Sequence, residues 1–150
     1  MSGEEIEAVH TVTERYDGPV RGIANFRGQP HYYERQFDVD TDEWSDRYWL
    51  MPLDDETFAL AMEAWEIWRR WEAAFHQQRT TLATYPALQE ERARHDELAA
   101  ILGTRLAIDR RYALVAQGRF EWNTEDGEWG PLRVRWHCND DGQRADRQGV

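Results

Sequence analysis

Between residues 20 and 52, apolar and aromatic positions fall in short runs separated by turn formers. Ile23-Ala24-Asn25-Phe26 passes through Arg27-Gly28-Gln29-Pro30 into His31-Tyr32-Tyr33-Glu34-Arg35-Gln36-Phe37. Gly28 and Pro30 mark a turn and the aromatic flanks favour extended chain, which predicts a β-hairpin. Arg47-Tyr48-Trp49-Leu50-Met51 predicts a third short strand. The period then lengthens. Asp54 is placed to cap a helix, Asp55 and Glu56 suit its positive end, and helix formers continue to about residue 78. Pro86, suited to a first helical position, predicts a second helix ending at Gly103.

The last third returns to strands. Residues 112–122 predict one, residues 123–130 with Asp126-Gly127 a turn, and Leu132, Val134, Trp136 and Cys138 then alternate with Arg133, Arg135 and His137. The order β-β-β-α-α-β-β predicts an α+β fold: an antiparallel sheet with a two-helix pair packed on one face. Residues 1–15 and 139–150 are polar and poorly patterned and read as frayed ends of a single domain spanning 1–150.

Composition removes several kinds of chemistry. All 18 basic residues are arginine, serine occurs only at Ser2 and Ser45, and Cys138 is the single thiol. A chain without lysine forms no lysine Schiff base and has no P-loop lysine. One thiol gives neither an internal disulfide nor a multi-cysteine zinc site. The acidic N-terminus lacks the basic and apolar regions of a secretory signal, and no apolar run approaches the ~20 residues of a membrane span. These features predict a cytoplasmic protein without membrane contact. A net charge of −11 disfavours nucleic acid as a partner. The lysine-free composition reads as compositional bias or as a use of planar, permanently charged donors.

On helical spacing of about 100° per residue, Phe58, Ala61, Trp65 and Trp68 share a stripe that Glu72 and His76 continue. On the second helix, Leu88, Leu98 and Leu102 share a stripe that also carries Glu91 and His95. Two Glu-x-x-x-His pairs projected from facing helices would form a divalent-metal site. The alternatives are a buried polar network and a solvated helix end.

Residues 38–46 place oxygen-bearing side chains at alternate positions, as calcium loops do. Glu43 and Trp49 stand where an EF-hand needs glycine and glutamate, so the stretch reads as an acidic inter-strand loop. Arg133, Arg135 and His137 form a cationic strip suited to a small anion, or to pairing with acids on the neighbouring strand. His137 and Cys138 point to opposite faces of a strand and are no nucleophile–base pair there.

Trp65, Trp68 and Trp71 recur three apart, among eight tryptophans in the chain. They suit a helix core or, with the Trp/Tyr/Arg-rich composition, an interaction face. The leading expectation is a small interaction protein of inhibitor, immunity or adaptor type, not an enzyme, binding a protein partner or forming a homodimer. A metal-binding protein or metal-dependent hydrolase using the Glu/His pairs is the alternative, and a small-anion-binding domain a further one. No cofactor is expected under the first reading.

Overall fold

The computed structural model describes residues 6–13, 19–122 and 132–138. Six strands, β1 (Ile6–Thr13), β2 (Arg21–Phe26), β3 (Gln29–Asp38), β4 (Glu43–Pro52), β5 (Leu114–Trp122) and β6 (Leu132–His137), form a closed antiparallel barrel in chain order. Two helices, α1 (Asp55–His76) and α2 (Arg92–Arg105), lie in the β4–β5 connection, with 3-10 turns at Leu82–Thr84 and Gln89–Glu91 between them. The barrel belongs to one compact unit (Met1–Leu53 with Ala107–Val150) and the helices to another (Asp54–Leu106).

The closed barrel corrects the expected open sheet with a helix pair on one face. The difference lies in β1, which falls inside the stretch read as a frayed end. It pairs with β2 on one side and with β6 on the other, so the sheet keeps no edge. A bulge between Val9 and Thr11 breaks its period-2 pattern, which hides the strand in the sequence. There the Thr11 hydroxyl accepts from the Ile23 backbone N–H at 2.9 Å. At the other end of β1, the Glu7 carboxylate accepts from the Arg27 and Gly28 N–H groups of the β2–β3 turn, at 2.6 and 2.9 Å.

The expected hairpin is present as β2–β3, turning at Arg27 (φ 55°) and Gly28 (φ 80°). Positive φ at both central residues is the two-residue turn geometry that matches strand twist. The third strand, β4, is longer than the sequence suggested. The expected turn over 123–130 and the tail 139–150 lie outside the described residues.

A six-stranded barrel is narrow, so its interior must be filled by side chains whose sizes complement one another across the strands. Cross-strand pairs do this here: Gly22 faces Tyr33, Ala24 faces His31, Ala116 faces Tyr48 and Gly118 faces Trp136. The rings of Tyr33, Tyr48, Phe120 and Trp136 then meet at centroid distances of 5.3 to 6.4 Å. Their polar atoms reach backbone carbonyls: Tyr33 Oη to Thr11 O (3.2 Å), Tyr48 Oη to Pro19 O (3.1 Å) and Trp136 Nε1 to Asn25 O (2.8 Å). Burying these groups therefore leaves each with a partner.

In the helical unit, Asp54 caps α1 as expected, its carboxylate accepting from the Thr57 N–H at 2.7 Å. The second helix starts at Arg92 and not at Pro86, which follows a cis peptide bond in the loop. Ala61, Ile67, Trp71, Ala74, Ala87, Leu98 and Leu102 are buried in this unit. Arg70–Glu91 and Arg94–Glu63 ion pairs accompany the packing of α1 with α2.

Candidate interaction surface

The β3–β4 hairpin reaches beyond the β4–β5 ladder, which pairs Arg47–Leu50 with Leu114–Gln117. Its outer segment carries Phe37 opposite Trp44, the rings edge-to-face at 5.1 Å. Phe37 is 43% exposed and Val39, at the start of the turn, 79% exposed. Phe37 and Val39 thus form an exposed apolar group at the tip of the hairpin.

The tip has a defined shape. Asp38 Oδ1 accepts from the N–H groups of Asp40 (2.9 Å) and Thr41 (3.4 Å), and Asp42 takes the left-handed conformation at φ 59°. Behind the turn, Arg35 Nε donates to the Ser45 carbonyl at 2.6 Å, with its guanidinium 6.0 Å from the Trp44 ring centroid and 5.9 Å from that of Tyr48. A cation lying on both rings fixes the base of the tip. The acidic stretch that resembled a calcium loop is thus an inter-strand turn, as its missing glycine and glutamate implied.

The tryptophans of α1 have separate fates. Trp71 is 4% exposed, stacks on Phe75 at 5.0 Å, meets Tyr85 edge-to-face at 4.9 Å and donates to Thr84 Oγ1 at 2.9 Å. It is a core residue of the helical unit. Trp65 and Trp68 are half-buried and pack on each other, with centroids 5.1 Å apart.

The four Glu/His residues find different neighbours. Glu72 Oε2 lies 4.0 Å from His76 Nε2, and Glu72 Oε1 lies 3.7 Å from Arg69; the Glu72 side chain is 12% exposed and that of His76 67%. Glu91 sits in the 3-10 turn before α2, and its Oε2 accepts from Arg70 Nε and Nη2 at 2.9 and 2.6 Å. His95 Nδ1 is 3.2 Å from Asp96. No group of three or more His, Cys, Asp or Glu side chains converges as a metal cage among the described residues.

In β6, Arg133 and His137 are exposed while Val134 and Trp136 are buried, the alternation read from the sequence. Arg135 Nε donates to Glu121 on β5 at 2.9 Å. Arg135 is therefore joined to an acid on the neighbouring strand. Cys138 packs against the barrel core, and burial pushes its thiol pKa up, away from nucleophilic thiolate.

Sequence reasoning passed over the Phe37–Trp44 pair. The available signal was an aromatic residue on each flank of a turn rich in Asp, at spacing that a hairpin brings into register. No helix among the described residues is long and apolar enough to cross a membrane. Compared with protein-family models, curated proteins and solved structures, the chain matches none.

Proposed function

We propose that this chain is a binding protein that engages another macromolecule through the tip of its β3–β4 hairpin. The exposure of Phe37 and Val39 beside a buttressed Trp44 carries this reading. A flexible loop would lose entropy on docking, whereas this turn is already held by Asp38 and Arg35. The barrel supports the reading as a frame, its interior being filled by aromatic rings with their own hydrogen-bond partners. A cytoplasmic setting accords with it, since the lone thiol Cys138 has no second cysteine in the chain.

The test compares wild type with a Phe37→Ser/Val39→Ser variant, each immobilised and exposed to extract of the native host. A macromolecule retained by the wild type and lost from the variant is the expected result. Identical retention by both, with unchanged circular dichroism and thermal unfolding, overturns the proposal.

A further inference from the structure

The hairpin tip combines an apolar centre with unneutralised carboxylates. Asp40, Asp42 and Glu43 flank Phe37, Val39 and Trp44, are exposed, and have no side-chain partner among the described residues. Asp38 spends one oxygen on the turn, and Asp46 Oδ2 accepts from Gln117 at 3.1 Å. Arg35 and Arg47 stand nearer the barrel, in register with Tyr48 and Gln117, and Arg35 is committed to Ser45 and the two rings beside it. No cation lies within the stretch 36–46.

We propose that the occupant of this tip is a cationic segment of a different protein, presenting arginine or lysine side chains around an apolar residue. The inference rests on the binding role above and adds the chemistry of the partner. Apolar contact would come from Phe37, Val39 and Trp44, and the surrounding carboxylates would supply orientation and association rate. Opposite charge is also what selects the occupant. A second copy brings the same net charge of −11, and a nucleic acid brings phosphates, so both meet repulsion at this surface.

The probes are three twelve-residue peptides: arginine alternating with leucine, the same with glutamine for arginine, and the same with glutamate. Each is titrated into the full chain by calorimetry. The arginine peptide is expected to bind at least tenfold more tightly than the glutamine peptide, to weaken at least tenfold between low and moderate salt, and to leave the glutamate peptide without measurable affinity. The triple variant Asp40→Asn/Asp42→Asn/Glu43→Gln, which keeps the side-chain shapes, should bind it at least tenfold more weakly, and Phe37→Ser should bind it more weakly still.

Equal binding of the arginine and glutamine peptides, or an unaffected triple variant, overturns the cationic-partner inference. If Phe37→Ser alone reduces binding, the binding role of the tip survives that failure. Binding of the arginine peptide that no tip variant alters places the site elsewhere and overturns the inference. A concentration-dependent dimer in light scattering that Phe37→Ser abolishes makes a second copy the occupant, and likewise overturns it.

Discussion

The Tyr33 hydroxyl donates to the Thr11 carbonyl at 3.2 Å beside Gly22, where a Cβ would stand 2.2 Å from that carbonyl oxygen and 2.8 Å from the hydroxyl. The nearest atom is backbone, so it cannot rotate away. Gly22→Ala should therefore destabilise the chain by about 3 kcal/mol, the upper end of the overpacking range. Tyr33→Phe, which keeps the ring and removes the donor, should lose about 1 kcal/mol. Midpoints of urea unfolding for the two variants give the comparison; equal losses would mean that the close approach at Gly22 costs no more than the Tyr33 hydrogen bond, against the expected clash.

Alkaline titration should separate the tyrosines. Burial holds the pKa of Tyr33 well above the usual phenol value and pushes that of Tyr48 up to about 12. A raised folded-state pKa means that these groups contribute full stability below about pH 10 and lose it as pH rises toward 12. The phenolate absorbance of Tyr33 and Tyr48 should rise cooperatively with unfolding. Non-cooperative ionisation of Tyr48 near its ordinary pKa would contradict the burial.

His31 gives the acid counterpart. Its Nδ1 donates to the Gln29 carbonyl at 2.8 Å and its ring meets Phe26 edge-on at 5.3 Å. Burial is the main cause of its lowered pKa, outweighing the Gln29 bond and the Glu7 charge; Arg27 lowers it further. The contribution is complete above the unfolded pKa of about 6.5 and declines as pH falls toward the folded value. Unfolding free energy should fall between pH 7 and 5, and less steeply in His31→Asn.

Trp71 should behave as a core residue. Trp71→Phe keeps most of the stacking on Phe75 and loses the bond to Thr84, so about 1 kcal/mol is the expected cost. Trp71→Ala should cost about 3–5 kcal/mol. Neither change should alter peptide binding at the hairpin tip while the chain remains folded. A Trp71→Phe variant with normal stability and lost binding would return this residue to an interaction face.

Local chemistry made the elements legible. Gly28 with Pro30, the cap at Asp54 and the alternation from Leu132 to Cys138 each act within a few residues, and each corresponds to a turn, a helix start and a strand in the structure. The candidate sites were less legible, because charge partners come from elsewhere in the chain. Glu91 lies on a core-like stripe in the sequence, yet Arg70, 21 residues away, takes its carboxylate. Trp71 and Trp68 have similar spacing, yet only Trp71 meets a hydroxyl, that of Thr84.

By itself, then, the sequence determined the β2–β3 turn, the start of α1 and the alternation of β6, and that the chain's chemistry runs without lysine or a second thiol. Whether the sheet stays open was decided by β1, whose bulge hides its alternation and whose two neighbours, β2 and β6, are brought together only by folding. Tertiary structure also decided which aromatics are core and which are surface. Burial depends on what packs opposite a side chain: Gly118 opposite Trp136 closes over one ring, while the β3–β4 turn leaves Phe37 and Val39 beyond the barrel.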